Sequence, residues 1–209
     1  MSGRRPLVIG LTGSIGMGKT TTAKMFASLG IPVFDADAAV HRLYEPGGGA
    51  VGAVADAFPG TTSKAGRVDR AALAKRLAAE PEGLLRLEQI VHPLVVQEQE
   101  RFVEHAGREG ADLVVLDIPL LFETGRPDGV DALVVVSAPD HVQRSRVLSR
   151  PEMTEAKLRQ LLARQMPDAE KRAQAHFVVE TDRGLDHAMV QVQRIVAALR
   201  ARHQGQHRA

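Results

Sequence analysis

The feature that most constrains this chain is an apolar run that leads into a glycine-rich loop and then into a helical pattern. Residues 7–11 are continuously apolar, as in a buried strand, and the sequence continues GLTGSIGMGKTT. Gly13, Gly18, Lys19 and Thr20 match the spacing G-x-x-x-x-G-K-[ST]. A strand, a glycine-rich turn and a helix in this order predict an anion site where the strand ends.

Each residue type in the loop has a physical role in holding phosphate. Glycine permits a left-handed backbone and lets backbone N–H groups approach a ligand, and the N-terminal end of the following helix attracts anions. Lys19 can reach phosphate oxygens, and the Thr20 hydroxyl suits Mg²⁺. A glycine-rich turn with a chance lysine is the alternative. We predict a nucleoside triphosphate site formed by Gly13, Ser14, Ile15, Gly16, Met17, Gly18, Lys19, Thr20 and Thr21.

Composition limits the classes of protein that fit. The 209 residues are 44% apolar and contain no cysteine, which excludes disulfides and thiolate metal sites. No run reaches the ~18 apolar residues of a membrane span, and no signal-like segment is visible, so we expect a cytoplasmic protein without a membrane role. One Tyr, six Phe and no Trp, with a net charge of only +2, argue against nucleic-acid binding.

Short apolar runs alternate with helical patterns along most of the chain. This alternation predicts an α/β fold with a parallel sheet, in which ligands bind at the carboxyl ends of the strands. The predicted strands are about 7–12, 31–35, 112–117, 131–137 and 176–180. The predicted helices are near 19–29, 37–45, 69–79, 82–106, 139–150, 154–165 and 184–202.

The spacing of the strands also predicts how a single domain is divided. The interval 32–111 is too long for a simple crossover and mostly helical, so it indicates a substrate-binding insertion at about 37–110, with loops at 45–54 and 59–67. The core would comprise about 6–36, 111–140 and 174–203. The remaining segment, about 141–173, would form a helical lid, with 162–172 as its return.

Two aspartates follow the second strand. Asp35 and Asp37 are two residues apart, and in an extended segment both side chains would project to one face. A carboxylate at this strand end can hold Mg²⁺ or orient an attacking hydroxyl, and the alternative is a helix cap. We expect Asp37 to act in the chemistry and Asp35 to cap the helix.

The third strand ends in Asp117, a position typical of a metal-linked carboxylate. The alternative is an Asp that only hydrogen-bonds the loop beyond its own strand. Pro119 ends the strand, and the next four residues would form the wall of a pocket. These residues are Leu120, Leu121, Phe122 and Glu123.

Further candidates lie on two helices. Gln143, Arg146 and Arg150 share one helical face, which predicts a lid that closes over phosphates. The alternative is an ordinary surface helix with basic residues. Arg144 lies off that face and should be solvated. His92 precedes Pro93 in a helical pattern and should pack at a proline kink; no other His or acid stands at ligand spacing from it.

Together these motifs resemble the dephospho-coenzyme A kinase family. The matching segments are GLTGSIGMGKTT, VFDADAAVHRL, VDRAALAKRL, IVHPLV, DIPLLFE, QRSRVLSR and ARQM, which occur in the family's order over about residues 7–180. The resemblance implies a P-loop kinase fold: a five-stranded parallel sheet flanked by helices, with a helical acceptor-binding insertion and a helical lid. In residues 176–183, His176, Thr181 and Arg183 depart from the family's usual Asp, Asn and Gly.

The resemblance also implies a reaction and roles for residues. It implies transfer of the γ-phosphoryl group of ATP, with Mg²⁺, to the 3′-hydroxyl of dephospho-CoA. Gly13 to Thr21 would hold ATP, with Arg146 and Arg150 from the lid. Thr20 and Asp117 would hold the metal. The acceptor would be contacted by Asp37, which would act as base or orient the hydroxyl, and by Arg70, His92, Leu120, Leu121, Phe122 and Glu123.

Two other functions share part of these features. Another kinase of the same plan, acting on a nucleoside monophosphate or a small alcohol, would share the loop and the lid. Only the segments VFDADAAVHRL and IVHPLV argue against it. A GTP-dependent switch would need an N/T-K-x-D motif to read guanine, and the sequence contains none. The oligomeric state is left open by the sequence.

Overall fold

A single sheet of five strands organises the larger part of the molecule. The structure, a computed structural model, describes residues 5–123 and 129–205. The strand order is β2-β3-β1-β4-β5, and β1 pairs in parallel with both β3 and β4, as β4 does with β5. The strands are β1 Leu7–Thr12, β2 Val33–Asp35, β3 Leu113–Asp117, β4 Ala132–Ser137 and β5 Phe177–Glu180. The predicted α/β class and all five predicted strands are confirmed.

The three central strands were predictable because they are buried. Every residue of β1, β3 and β4 is buried, so these strands are continuous apolar runs rather than alternating ones. Branched aliphatic side chains such as Ile9 and Val134 fill the core around the sheet, together with the fully buried Phe26.

Nine helices lie within the described ranges. They are α1 Lys19–Ser28, α2 Ala36–Tyr44, α3 Val51–Ala57, α4 Arg70–Ala79, α5 Gly83–Arg108, α6 Asp140–Leu148, α7 Glu155–Leu162, α8 Asp168–Gln174 and α9 Leu185–Gly205. Seven of them match predicted helices within a few residues. None of the helices in the described ranges is long and apolar enough to cross a membrane.

Helix α3 corrects the predicted loop over residues 45–54. Gly48 turns tightly against the end of α2, since an added Cβ there would lie 2.3 Å from the carbonyl oxygen of Leu43. A helix follows this turn. Its residue Val54 and the residue four positions later, Phe58, lie on the same side of the chain, and both are completely buried, so helix formation places two apolar side chains in the core. Helix α8, inside the predicted lid return at 162–172, was also not predicted as a separate helix.

By its internal contacts the chain divides into two compact units. The first comprises the residues up to 34 and from 103 onward, and it contains the phosphate-loop motif, most of the sheet and α6 to α9. The second comprises residues 35–102. Its core is formed by residues of α2 to α5 and their connections, including Ala50, Val54 and Phe58.

Candidate active site

The loop between β1 and α1 has the backbone that a phosphate-binding loop requires. Gly18, the N-cap of α1, has φ 98° and ψ 16°, a left-handed conformation that favours glycine. At Gly13 an added Cβ would lie 2.7 Å from the carbonyl oxygen of Val136 on β4, so a side chain would push the loop off the sheet. Met17 N donates to Ser14 O over 3.2 Å and closes the turn.

The N-terminus of α1 is open to a ligand. The first N–H groups of a helix have no acceptor inside the helix, and no side chain caps α1. Lys19 and Thr20 are the first two residues of this helix, and the Thr20 side chain is exposed. The unsatisfied N–H groups and the positive end of the helix dipole therefore form an anion site at the position that the motif predicts.

Two predicted site residues meet beside the loop. Lys19 Nζ lies 2.5 Å from Asp117 Oδ1, and the side chains are 17% and 7% exposed. The contact follows from sheet register, because Leu11 of β1 pairs with Asp117 of β3 and both strands end at the same edge. A lysine and a buried carboxylate thus stand together at the mouth of the phosphate loop.

Helix α6 supports the loop from the side. Gln143 Nε2 donates to Ile15 O over 2.8 Å. Arg146 donates to Gly16 O over 3.5 Å and to the Thr181 side-chain and backbone oxygens over 2.8 and 2.6 Å. Gln143 and Arg146 therefore share one helical face, as their spacing predicts.

Arg150 does not belong to that face. Helix α6 ends at Leu148, so Arg150 lies beyond its C-terminus and is exposed. The predicted alignment of Arg150 with Gln143 and Arg146 is wrong for this reason. Arg144 is half-exposed and lies 2.5 Å from Glu155 on α7, which agrees with its predicted place off the face.

Thr181 was not identified from the sequence as a residue of the site. Its hydroxyl donates to Met17 O over 2.7 Å, its backbone N–H donates to Ser137 O over 3.0 Å, and it accepts from Arg146. The residue after β5 thus joins the phosphate loop to the end of β4. A single threonine carries no local pattern, and its position after a strand that ends at the binding edge was the only available signal.

The four residues predicted to form the wall of a pocket, 120–123, do not share one environment. Leu120 is 40% exposed, whereas Leu121 is completely buried, with its Cδ1 3.0 Å from where a Cβ on Gly10 would stand. Glu123 Oε1 forms an ion pair with Lys171 Nζ over 2.8 Å and accepts from Met166 N over 2.8 Å. Leu121 and Glu123 thus belong to the interior of the first unit.

The surroundings of Glu123 favour its charged form. Burial on its own would raise the pKa of the Glu123 carboxyl, but the ion pair with Lys171 and the hydrogen bond from Met166 N outweigh it, so the pKa is lowered. A carboxyl whose pKa is lower in the folded state adds stability above its unfolded pKa of about 4.3, and this stability disappears as the pH falls.

We therefore expect part of the acid sensitivity of the protein to come from Glu123. The double variant Glu123→Gln/Lys171→Met removes both charges and should lose less unfolding free energy than the wild type between about pH 5 and pH 3. Urea unfolding at several pH values measures this difference. Equal losses in the two proteins would show that Glu123 does not contribute to acid unfolding.

In the second unit the two aspartates are not both in an extended segment. Asp35 ends β2 and is the N-cap of α2, where its Oδ1 accepts from Ala38 N over 2.9 Å. Asp37 lies in the first turn of α2 with an exposed side chain, four residues before His41 and on the same helical face. His41 Nε2 lies 2.6 Å from Arg70 Nη1 and must accept, since a guanidinium can only donate.

The prediction that His92 packs at a proline kink is wrong. Helix α5 runs continuously through Pro93, and the His92 side chain is exposed. Its neighbour Val91 is buried in the core of the second unit. Consecutive helical residues point about 100° apart, so the burial of Val91 turns His92 toward solvent.

A cavity of about 600 Å³ lies next to the phosphate loop in the first unit. Ser14 and Met17 of the loop form one side of it. Residues from the end of β4, from α6 to α8 and from the segment after β5 form the rest, including Gln143, Gln165, Asp168, Arg172 and Arg183. The cavity is large enough for a substantial part of a nucleotide.

The sequence of the whole chain identifies its family. A dephospho-CoA kinase family profile matches residues 7–187. The chain belongs to the dephospho-CoA kinase family. It is 54% identical over 192 residues to the dephospho-CoA kinase of Rhodopseudomonas palustris strain HaA2, covering 92% of this chain and 95% of that protein. It is also 54% identical over 190 residues to that of Bradyrhizobium diazoefficiens, covering 91% and 94%.

Solved structures agree with the fold of this dephospho-CoA kinase family member. The crystal structure of TT1252 from Thermus thermophilus is 35% identical, with a TM-score of 0.79 over 93% of this chain and 98% of that one. The dephospho-CoA kinase from Campylobacter jejuni is 18% identical, with a TM-score of 0.65 over 94% and 98%. The P-loop kinase fold expected from the sequence is thereby confirmed.

Proposed function

We propose that this protein transfers the γ-phosphoryl group of ATP to the 3′-hydroxyl of the ribose of dephospho-CoA, which gives coenzyme A in the last step of its synthesis. The observation that carries the proposal is the contact of Lys19 with Asp117 at the open N-terminus of α1. It brings a lysine cation, a carboxylate and an anion site together at the mouth of one loop. We also propose, from the family, that the enzyme acts in the cytoplasm.

ATP would bind with its phosphates in the loop from Gly13 to Thr21. The free N–H groups at the start of α1 would hold the phosphate oxygens, and Lys19 would exchange Asp117 for the β- and γ-phosphates. Arg146 supports this loop through Gly16 O and could meet charge on the phosphates when ATP is bound. Arg150, exposed beyond α6, is free to approach the same phosphates from solvent.

The residues at this site also fit Mg²⁺. The Thr20 hydroxyl and the Asp117 carboxylate are oxygen donors, which are the ligands that Mg²⁺ prefers. Across residues 5–123 and 129–205, no group of three or more His, Cys, Asp or Glu residues could form a metal cage. Mg²⁺ would thus take its other ligands from phosphate oxygens and water, where it would neutralise charge on the phosphates.

The residues that would contact the acceptor are proposed one by one from the family resemblance. We propose that Asp37 orients the attacking hydroxyl and accepts its proton, while Arg70, fixed by His41, supplies a cation for the anionic groups of the acceptor. His92, Leu120 and Phe122 have exposed or partly exposed surface for further contacts. Leu121 and Glu123 would act from the interior, by fixing the segment that carries Leu120 and Phe122.

Substitution of Arg146 and of Arg144 tests which of the two arginines supports the phosphate loop. Arg146→Ala should lower kcat by about 10²-fold and change the KM for the acceptor little, because it removes a donor at the phosphate loop. Arg144→Ala should keep wild-type kinetics, since an exposed ion pair contributes little. Steady-state kinetics of both variants measure this. Equal damage in the two variants would contradict the assigned helical face.

A screen of acceptors tests the proposed function. The protein is incubated with ATP and Mg²⁺ and, separately, with dephospho-CoA, AMP or a small alcohol, and ADP release is followed. We expect ADP release to depend on dephospho-CoA. Release with AMP or the alcohol, but not with dephospho-CoA, would assign the chain to a different kinase activity.

A further inference from the structure

The ion pair of Glu123 and Lys171 is largely buried, and its net contribution to stability is expected to be small, so it is a candidate for a further role. The Lys171 side chain is 0% exposed and that of Glu123 is 16% exposed. Glu123 Oε2 is also buried and has no hydrogen-bond partner among the residues that the structure describes. Desolvating two charges commonly offsets their attraction, so a buried pair of this kind often adds no net stability over apolar residues.

Glu123 stands at the end of a segment that is attached to the centre of the sheet. The segment before it follows β3 and is tied to β1, because Ile118 N donates to Leu11 O over 3.0 Å and Thr12 Oγ1 donates to Pro119 O over 3.1 Å. Leu121 is completely buried in the same segment. The segment that carries Glu123 is therefore attached to β1, the strand that leads into the phosphate loop.

From this position Glu123 fixes the turn between α7 and α8. The same oxygen that contacts Lys171 accepts from Met166 N over 2.8 Å. The preceding residue, Gln165, extends its Oε1 to the phosphate loop and accepts from Ile15 N over 3.2 Å. Gln143 Nε2 donates to Ile15 O, so both polar groups of Ile15 are bound by glutamine side chains.

We propose that Gln165 is a positioning residue for the phosphate loop, and that the Glu123 side chain, through the oxygen that accepts from Met166 N, is the anchor that places it there. The inference rests on the proposed function, in that the phosphates of ATP bind in this loop. Gln165 fixes the peptide at Ile15, which keeps the neighbouring N–H groups directed at the phosphates. Lys171 balances the charge of the buried Glu123 carboxylate.

The first test replaces Gln165 by Leu, which keeps the size of the side chain and removes the acceptor for Ile15 N–H. ATP affinity, measured by titration of ATP with Mg²⁺, should fall roughly tenfold, the equivalent of one hydrogen bond. The KM for dephospho-CoA should stay unchanged. The matched control is Gln160→Leu on the exposed face of α7, which should bind ATP as the wild type does.

The second test uses two double variants that both lack buried charge. Glu123→Gln/Lys171→Met keeps an acceptor for Met166 N–H and should retain wild-type ATP affinity. Glu123→Leu/Lys171→Met has no acceptor for Met166 N–H and should lose ATP affinity to the same extent as Gln165→Leu. Because neither variant contains an isolated buried charge, thermal unfolding should show both of them folded.

Coupling between the sites decides the proposal. Adding Gln165→Leu to Glu123→Leu/Lys171→Met should cause no further loss of ATP affinity, since both changes break the same connection, whereas independent structural effects would add. Wild-type ATP affinity in Gln165→Leu overturns the proposal even if the double variants fail to fold. Failure of the wild type itself to bind ATP would instead contradict the proposed function.

Discussion

Replacement of Lys19 by Met should reduce turnover by roughly 10²–10³-fold and weaken the binding of ATP with Mg²⁺. Phosphoryl transfer depends on positioning and on stabilising charge that spreads over the transferred group, and Lys19 is the side-chain cation of the loop. Methionine keeps the length of the side chain and its place at the first position of α1. Kinetics and ATP titration of the variant measure the two effects.

The partner of Lys19 requires a control for stability. Asp117 is buried, and removal of the cation beside it could destabilise the fold by up to about 3–5 kcal/mol, a range found for broken buried pairs. The double variant Lys19→Met/Asp117→Asn removes both charges and should recover most of the lost thermal stability. It should not recover turnover, because both the lysine and the proposed metal ligand are missing.

A second lysine on the same helix controls for general effects on α1. Lys24 is exposed, and Lys24→Met should leave kinetics and stability close to wild type. Wild-type turnover in Lys19→Met, or equal losses in the Lys24 variant, would contradict the assignment of this loop to ATP.

Replacement of Asp37 by Asn should lower kcat by about 10²–10⁴-fold, the usual range for loss of a general base. Asparagine keeps the shape and some hydrogen bonding, but it cannot accept the proton of the attacking hydroxyl. In a loose transition state little nucleophilic push is needed, so the carboxylate would act mainly by orienting the hydroxyl and by accepting its proton late. ATP affinity should change little, since the phosphates would be held by the loop after β1.

Asp35 is the matched control for Asp37. It is the N-cap of α2, and asparagine caps helices about as well as aspartate, so Asp35→Asn should be close to wild type in both stability and kcat. Full activity in the Asp37 variant with loss of activity in the Asp35 variant would show that Asp35, and not Asp37, acts on the hydroxyl. Full activity in both would place the reacting hydroxyl elsewhere.

Much of the fold was predictable because its signals are local. The three central strands, β3, β1 and β4, are buried on both faces, so each appears as one apolar run. The glycines of the loop stand where the backbone requires them, as at Gly13 and Gly18. Asp35 was assigned correctly to a strand end and a helix cap, and Asp37 lies in the helix predicted near 37–45, so the two side chains do not share an extended segment. The capping of α2 by Asp35 starts the helix one residue earlier than the alternation suggested.

The missed residues of the site have no such local signal. Thr181, Gln165 and Lys171 acquire their roles from residues that are 164, 150 and 48 positions away: Met17, Ile15 and Glu123. Lys171 and Thr181 are single polar residues without periodicity or characteristic spacing, and the match of the ARQM segment to the family gave Gln165 no role of its own. Only the three-dimensional pairing of the segments after β3, α7 and β5 shows that they converge on the phosphate loop.

The central claim is the transfer of phosphate from ATP to one hydroxyl of dephospho-CoA. The most direct measurement incubates the protein with ATP, Mg²⁺ and dephospho-CoA and identifies the product by tandem mass spectrometry, with Lys19→Met as the blank. Our account predicts coenzyme A, with the new phosphate on the 3′-oxygen of the ribose and ADP formed in equal amount. Unchanged dephospho-CoA, or phosphate on another hydroxyl, would contradict it.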